Sequence, residues 1–402
     1  MTAFIKEKKL LAKELTEQVR EIVRSSAGEL TDNEVQDFID EKLLSDPGRH
    51  LLSSKELLHI AETVFNRTRR ELSVLQPFAD DPDVTEIMVN GKDDVFIERL
   101  GVPCRVGVYF ESNEELEDVI RRIAAKVHRE VNELSPILDA RLADGSRVNA
   151  VYKNIALGGP ALTIRRFPRS AIMIDDLIAF GSVTREAADF LSLLVKAGYN
   201  IFISGGTSSG KTTFLNALSN FIPKDERVVT IEDTAELQLI GIDNLVRLEC
   251  RGAGIEGRGE ITMRQLIRAS LRMRPNRIIV GEVRGEEVLD MIQAMNTGHA
   301  GSLSTGHGNS PGGMLQRLEA MFLQAAEFPI DAIRRQIAEA IDVIIHLGRL
   351  PGGGRAVIEI SEITGFCGGE IDLNTIFIRD PGGGLMKKGE LLNRDKLSIR
   401  GL

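Results

Sequence analysis

The sequence predicts a multidomain α/β protein in which a domain of alternating strands and helices follows an α+β module and an N-terminal helical bundle. Three observations support this fold class. Amphipathic helical patterns occupy residues 1–73, strand-like alternation around one helix occupies 74–167, and strands alternate with helices over 168–402. A chain of 402 residues is also too long for one ordinary hydrophobic core, so its length predicts two or three domains, and the three patterns predict three domains with these bounds.

The composition of the chain argues against a membrane-spanning protein, a secreted protein and a dedicated nucleic-acid binder. No stretch approaches eighteen uncharged apolar residues, and the N-terminus lacks the apolar core of a signal peptide, so we expect a cytoplasmic protein that touches a membrane only peripherally. A net charge of −9 and the absence of tryptophan argue against a dedicated nucleic-acid binder. Cys104, Cys250 and Cys367 lie far apart and are interpreted as small buried hydrophobic residues.

The helical bundle is predicted from capping signals. Thr31 with Glu34, and Ser53 with Glu56, each form the pattern of a capping box before apolar residues at helical spacing. The third helix ends in a basic cluster, which is either a docking patch or a favourable complement to the helix C-terminus. Its members are Arg67, Arg69 and Arg70.

The next module reads as antiparallel strands. Residues 84–89 and 95–98 flank Asn90 and Gly91 as a β-hairpin, and residues 105–110 form a further predicted strand. A capped helix and more strand-like alternation follow, up to a predicted hinge at residues 167–170. From there, alternating strands and helices specify a largely parallel sheet, with ligands expected at the carboxyl ends of its strands.

A glycine-rich loop stands between a buried strand and a helix in this last domain. Residues 205–212 fit the pattern G-x-x-x-x-G-K-[ST], whose backbone N–H groups surround phosphates. The lysine supplies a cation for the β- and γ-phosphates, and the threonine hydroxyl is suited to Mg²⁺. The expected phosphate-binding residues are Gly205, Gly206, Thr207, Ser208, Ser209, Gly210, Lys211, Thr212 and Thr213.

Acidic residues end two other predicted strands. Glu282 follows the apolar run of residues 278–280, where it would hold Mg²⁺ together with Thr212. Glu232, Asp233 and Glu236 follow residues 229–231, and their mutual repulsion implies a metal or arginine partner. The residue types leave open which of these glutamates is the general base.

Histidines and arginines complete the candidate site. His299 and His307 flank the strand expected after Glu282, which is the place for a γ-phosphate sensor, although a lone histidine is more often structural. Their spacing does not suit a zinc pair. Several arginines are candidates to reach the γ-phosphate from a neighbouring subunit, although each alone is more often a surface charge. They are Arg165, Arg166, Arg247 and Arg272.

The order of these motifs resembles that of the secretion ATPase superfamily of type II secretion, type IV secretion and type IV pili. Residues 205–212 resemble its Walker A box, 230–236 its Asp box, 279–284 its Walker B box and 297–307 its His box. The sequence is most similar to the tight-adherence (Tad) pilus assembly ATPases of the CpaF type. Further segments carry this closer resemblance, namely 81–91, 139–149, 162–167 and 271–275.

This resemblance implies a hexameric ATPase motor at the cytoplasmic face of the inner membrane that uses ATP and Mg²⁺ and works with pilus platform proteins. Each subunit would join a PAS-like N-terminal domain to a RecA-like domain, with nucleotide between them. Lys211 and Thr212 would bind phosphates and Mg²⁺, and Glu282 would be the Walker B carboxylate. Ser208 departs from the family, which usually has glycine there, and we expect it to stiffen the loop.

Three alternatives stay open at this point. The chain could be a type II or type IV secretion or conjugation ATPase of the same superfamily. It could also be a RecA-like nucleic-acid translocase, which predicts hydrolysis stimulated by DNA. The third alternative is a scaffold that binds nucleotide without hydrolysing it.

Overall fold

The computed structural model describes residues 2–26, 30–47, 52–99, 101–166, 171–252, 259–350, 353–380, 382 and 384–402. The chain divides into two compact units, Met1–Arg169 and Ser170–Leu402. The predicted hinge at 167–170 lies outside the described residues, and the three domain bounds given above stay a prediction.

Three helices open the first unit and pack around a core of their own, which includes Val19, Ile39 and Val64. Both predicted capping boxes are present, at Thr31 and at Ser53. Each box satisfies free N–H groups at the start of its helix, which fixes where the helix begins. The helices are α1 (Thr2–Ser25), α2 (Asp32–Ser45) and α3 (Ser54–Arg69).

The basic cluster at the end of α3 makes internal contacts. Arg67 is only 4% exposed, and its guanidinium lies 2.6 Å from Glu111 Oε1 and donates to the Tyr109 carbonyl at 3.0 Å. Arg69 pairs with Asp32 at 2.8 Å. These arginines therefore tie α3 to its neighbours within the unit, and Arg67 is neither a docking residue nor a simple helix-end charge.

An antiparallel sheet in the order β3-β2-β1-β6-β5-β4 forms the rest of this unit. The predicted hairpin is present, with β1 and β2 antiparallel. The predicted strand 105–110 is wrong in its bounds, because the strand ends at Val106 and Phe110 enters the core from a loop held by a bond to the Lys92 carbonyl. The elements are α4 (Gln76–Asp80), β1 (Val84–Asn90), β2 (Val95–Arg99), β3 (Val102–Val106), α5 (Asn113–Lys126), β4 (Ile137–Arg141), β5 (Arg147–Val151) and β6 (Ala161–Arg165).

The second unit alternates strands and helices and then ends in antiparallel strands. Its first part contains α6 (Ile174–Ala179), α7 (Arg185–Ala197), β7 (Ile201–Gly205), α8 (Lys211–Ser219), β8 (Val228–Glu232), β9 (Leu245–Glu249), α9 (Met263–Ser270), β10 (Arg277–Val280), α10 (Glu287–Asn296) and β11 (Leu303–His307). Its second part contains α11 (Pro311–Ala325), α12 (Ile330–Ala340), β12 (Val343–Arg349), β13 (Arg355–Cys367), β14 (Glu370–Arg379), β15 (Leu385–Lys387) and α13 (Asp395–Arg400).

One sheet organises this unit, in the order β15-β14-β13-β12-β7-β11-β10-β8-β9. From β12 to β9 neighbouring strands are parallel, while β13, β14 and β15 are antiparallel additions. The core on one face is contributed largely by α7 and α8, and the core on the other by α10, α11 and α12. Because the central strands are covered on both faces, almost all of their residues are buried.

Two findings concern the surface. Cys104 and Cys367 are exposed, so the interpretation of all three cysteines as buried hydrophobic residues is wrong for these two, both of which lie in exposed strand positions. Among the described residues, no helix combines the length and the apolar character that crossing a membrane requires.

Candidate active site

The glycine-rich loop connects the carboxyl end of β7 to the first residue of α8. Gly210, immediately before α8, has φ 90° and ψ 21°, a left-handed conformation that glycine adopts without steric cost. Gly205 is required for a different reason, because a Cβ there would lie 2.5 Å from Ser209 Oγ and 2.7 Å from the Leu347 carbonyl. The tight path of this loop therefore depends on both glycines.

The loop has the features of an anion site. No atom lies within 4 Å of the place where a Cβ would stand on Gly206, so the approach to the backbone there is open. Ser209 is 3% exposed, and its hydroxyl oxygen has no hydrogen-bond partner among the described residues. The N-terminus of α8 points N–H groups at the same place. A phosphate chain fits this donor set.

Lys211 folds back over the loop. Its ammonium donates to the carbonyls of Gly205 at 3.2 Å and Gly206 at 3.1 Å, and it lies 3.4 Å from His307 Nδ1. Burial lowers the pKa of this lysine, and the nearby Glu282 carboxylate opposes that effect. The contacts are with carbonyl oxygens and a ring nitrogen, so a phosphate oxygen would be a stronger partner for this cation.

Glu282 follows β10, which is two strands away from β7 in the sheet, and its side chain lies near Lys211 and His307. Its carboxylate lies 2.7 Å from His307 Nε2 and 3.0 Å from an Arg284 guanidinium nitrogen. His307 is the register partner of Gly205 in the parallel pair of β11 and β7. Burial lowers the pKa of His307, while the negative charge of Glu282 opposes that shift. Loop, lysine, histidine and glutamate thus form one cluster.

Glu232 ends β8 and is 3% exposed. One carboxylate oxygen accepts from the backbone N–H groups of Glu236 at 2.8 Å and Leu237 at 3.0 Å, while the other has no partner among the described residues. Burial raises the pKa of this carboxyl group to about 7, although the two N–H donors and Arg247 oppose the rise. Its Cγ would meet a Cβ on Gly281 at 3.1 Å, so it lies beside the segment that carries Glu282.

The other two acids of this segment are placed differently. Asp233 is exposed and lies 3.5 Å from a guanidinium nitrogen of Arg284, which provides the arginine partner expected from the sequence. Glu236 is half-buried. The segment that carries it is attached to α8 two residues later, because Asn216 Oδ1 on α8 accepts a hydrogen bond from the Gln238 N–H at 2.7 Å. The three acids therefore share one segment without sharing one buried cavity.

Some predicted residues lie elsewhere. His299 precedes β11 at its amino end, where its Nδ1 is 3.2 Å from the Ala294 carbonyl, so placing both histidines at the γ-phosphate is wrong for His299 within one subunit. Arg272 lies before β10, also at the amino edge of the sheet. Arg247 lies on the edge strand β9 and donates to the Leu237 carbonyl at 3.0 Å. Arg165 and Arg166 belong to the first unit, where Arg166 donates to the Asp81 and Val84 carbonyls.

Arg284 is a site residue that the sequence reasoning did not select. It connects Glu282, at 3.0 Å, to Asp233, at 3.5 Å, and its hydrogen bond with Glu282 raises the pKa of the guanidinium. The sequence signal that could have identified Arg284 is its position two residues after Glu282, because a turn after the end of a strand brings these two side chains together.

The oxygen donors suit Mg²⁺. Thr212 and Glu282 supply a hydroxyl and a carboxylate, and Mg²⁺ usually takes one or two protein oxygens together with phosphate and water. In the described part of the chain there is no cluster of three or more histidine, cysteine or acidic side chains that could hold a metal by itself. These residues fit an ion that binds together with a phosphate chain.

Comparison with known proteins identifies relatives over most of the chain. The family model of the type II/IV secretion system proteins matches residues 69–355. The conjugal transfer protein TrbB of Rhizobium radiobacter is 36% identical over 291 residues, which cover 71% of this chain and 86% of that protein. The type IV secretion system protein PtlH of Bordetella pertussis is 34% identical over 316 residues, covering 72% of this chain and 93% of that protein.

Solved structures agree at the level of the fold. The pilus retraction motor PilT with bound ADP matches with a TM-score of 0.53 at 20% identity, covering 71% of this chain and 81% of that one. The Legionella pneumophila ATPase DotB matches with a TM-score of 0.51, also at 20% identity, covering 73% and 79%. Both comparisons indicate the same mixed α/β architecture.

Proposed function

The chain belongs to the family of type II/IV secretion system proteins, and we propose that it is a Mg²⁺-dependent ATP-hydrolysing motor of such a machine. The observation that carries this proposal is the cluster at the glycine-rich loop, where Lys211 and His307 lie 3.4 Å apart and His307 lies 2.7 Å from Glu282. A loop that only bound phosphate would not need a histidine from β11 and a carboxylate after β10 beside its lysine.

We propose a division of roles among these residues. The loop and Lys211 bind the β- and γ-phosphates, and Thr212 with Glu282 holds Mg²⁺, which would neutralise charge on the phosphates. His307 contacts both Lys211 and Glu282, so it is placed to respond to the γ-phosphate. In this scheme the loop corresponds to a Walker A box on a RecA-like domain.

Glu232 is the residue that we propose as general base. A base works best when its pKa is near the operating pH, and burial raises the pKa of Glu232 to about 7. One of its oxygens is without a partner among the described residues, so it can accept a proton from water. Glu282 accepts a hydrogen bond from Arg284 at 3.0 Å and lies 2.7 Å from His307 Nε2, and two cationic or donor neighbours favour an ionised metal ligand over a base.

At the level of the whole machine, we propose the Tad pilus assembly motor of the CpaF type, acting as a homo-hexamer with inner-membrane platform proteins. The support is the series of segments at 81–91, 139–149, 162–167 and 271–275, together with the N-terminal helical segment. The first unit would contain the PAS-like domain of this scheme. Arg165, Arg166, Arg247 and Arg272 stay candidates for contacts with nucleotide in a neighbouring subunit.

A conjugation or type IV secretion ATPase is the second candidate. It is favoured by the relatives TrbB and PtlH, of which the matched regions cover 86% and 93%. Affinity purification from the native cell separates the two, since pilus platform proteins would co-purify in one case and conjugation or secretion channel proteins in the other.

The enzymatic proposal is tested by ATP turnover. We expect Lys211→Ala and Glu282→Gln each to lower turnover by about 10²–10³-fold, because the first removes a cation that stabilises the transferring phosphate and the second removes a carboxylate ligand of Mg²⁺. Lys388→Ala is the matched control, since this exposed lysine follows β15 at the far edge of the same sheet. Unchanged turnover in Lys211→Ala would overturn the site, and DNA-stimulated turnover would support a translocase instead.

A further inference from the structure

Arg355 lies beside the glycine-rich loop, and none of the roles above uses it. It is the first residue of β13, and its Cδ would lie 3.6 Å from a Cβ placed on Gly210. The side chain is exposed, and no described residue hydrogen-bonds or forms an ion pair with its guanidinium. An unpartnered cation thus stands next to a loop built to receive an anion.

The backbone of Arg355 is fixed, so its position is not that of a loose surface residue. Its carbonyl accepts from Ser182 Oγ at 2.7 Å. The N–H of Val357 donates to the Ser182 carbonyl at 2.8 Å, and Val357 is fully buried. Because Arg355 and Val357 are two residues apart on one strand, their side chains project from the same face, which is the face that α8 covers.

The order of the strands in the sheet indicates which part of a bound nucleotide would lie near Arg355. Gly205 is the register partner of His307 on β11 at one side and of Leu347 on β12 at the other. The groups assigned to the γ-phosphate and Mg²⁺ lie on the β11 side. Arg355 lies on the opposite side, because β13 pairs with β12. A nucleotide with its γ-phosphate at His307 would place its α-phosphate on the side of β12 and β13 if it ran across the loop along the strand order.

We propose that Arg355 binds the α-phosphate of the nucleotide and so holds it at the end away from the reaction. This inference rests on the proposed function and adds a binding residue to it. A guanidinium donates two parallel hydrogen bonds to phosphate oxygens, a paired geometry that single backbone N–H groups of the loop do not supply. Since ATP and ADP share the α-phosphate, Arg355 contributes equally to the binding of both.

The test is a titration of ATP and of ADP, each with Mg²⁺, by isothermal calorimetry. For Arg355→Gln we expect the Kd of both nucleotides to rise about tenfold, equivalent to ~1.4 kcal/mol. Arg355→Lys should fall between this variant and the unmodified protein, because an ammonium keeps the charge and loses the bidentate geometry. Arg335→Gln is the matched control, since this exposed arginine lies on α12, which covers the other face of the sheet.

The outcomes separate the two proposals. An unchanged Kd for both nucleotides in Arg355→Gln, with tight binding by the unmodified protein, would overturn this inference and leave the proposed function intact. A loss confined to ATP would place Arg355 at the γ-phosphate and also overturn it. If the unmodified protein bound neither nucleotide, the proposed function would fail, and this inference with it. A thermal melt of Arg355→Gln matching that of the unmodified protein excludes misfolding as the cause.

Discussion

Gly301 shows how one residue can control the packing of a buried charge. It lies just before β11 with φ 81°, and a Cβ there would stand 1.7 Å from a guanidinium nitrogen of Arg277. Arg277 is 1% exposed, pairs with Glu226 and donates to the Val195 and Gly301 carbonyls at 2.9 and 3.3 Å. A side chain at position 301 would therefore displace a buried cation from its partners.

We expect Gly301→Ala to lower the free energy of unfolding by roughly 3 kcal/mol, since disrupting a buried ion pair typically costs about 3–5 kcal/mol. Gly298→Ala is the matched control, because Gly298 also has a positive φ, of 98°, but nothing lies within 4 Å of its Cβ position. It should cost about 1 kcal/mol, from backbone strain alone. Urea unfolding of both variants measures the difference, and equal losses would contradict the steric argument.

Glu232 couples the candidate chemistry to stability. The carboxyl group of a solvated glutamate titrates near pH 4.5, and burial raises the pKa of Glu232 to about 7 in the folded protein. The folded state therefore holds a proton between these values that the unfolded state has released. The stabilisation from this proton is fully present below pH 4.5 and is lost as the pH rises through about 7.

We expect Glu232→Gln to unfold at a similar urea concentration at pH 4.5 and to be more stable than the unmodified protein at pH 8, by roughly 3 kcal/mol. The amide cannot ionise, so it avoids the cost of a buried charge. Turnover of ATP should fall in the same variant, because an amide accepts no proton. Parallel stability curves for the two proteins across this pH range would contradict the buried, protonated glutamate.

Ser208 lies in the glycine-rich loop with a backbone conformation that favours glycine. The sequence marked it as a departure from a family that usually has glycine there, with a stiffer loop as the expected result. In the structure Ser208 has φ 56°, which is the left-handed region that glycine occupies at low cost. The backbone conformation thus supplies the physical reason for the family preference, and serine adopts it under strain.

At the scale of the element, local signals predicted the starts of helices better than their ends. Thr31 and Ser53 cap helices as expected, and so does Ser112, the cap of the helix predicted after the β-hairpin module, because a capping side chain contacts N–H groups only two or three residues away. The capping signal at Thr262 and the apolar spacing after it predict a helix over 262–273, but the helix in the structure ends at Ser270, and residues 271–273 belong to the turn before β10. Apolar periodicity continues through such a turn, so it does not indicate where the helix stops.

The two histidines show why strand direction matters. Both flank the strand that the sequence predicts after Glu282, and nothing in their spacing distinguishes one histidine from the other. A five-residue strand spans roughly 16 Å, so residues before and after it lie at opposite edges of the sheet. His307 is the last residue of the strand and lies at the carboxyl edge with Lys211 and Glu282, whereas His299 lies before its amino end.

At the scale of the whole molecule, the proposed motor requires an assembly. We expect the protein to form hexamers in the presence of Mg²⁺ and a non-hydrolysable ATP analogue, measured by light scattering on a size-exclusion column. The expected mass is about six times the 44.2 kDa of one chain. Electron microscopy of the same sample would show the ring and the arginines at the γ-phosphate. A mass that stays at one chain with saturating nucleotide would refute the hexamer.

The sequence by itself determined the features that depend on neighbouring residues. These are the glycine-rich loop between a strand and a helix, the capped helices, the β-hairpin and the parallel alternation in the second unit. Each follows from spacing or from turn chemistry within a few positions. The strands β14 and β15 escaped prediction, because they are additions to a sheet edge whose pairing is set by distant partners.

Only the tertiary structure decided which candidates meet. Glu232, Glu282 and His307 come from three different strands, and their proximity follows from the order β7-β11-β10-β8 of the sheet. The direction of the parallel strands separates His299 and Arg272 from the loop, because both lie at the amino edge of the sheet, while Arg284 and Arg355 lie at the carboxyl edge near the site. Sheet order depends on pairing between residues far apart in the chain, and no local pattern in one sequence carries that information.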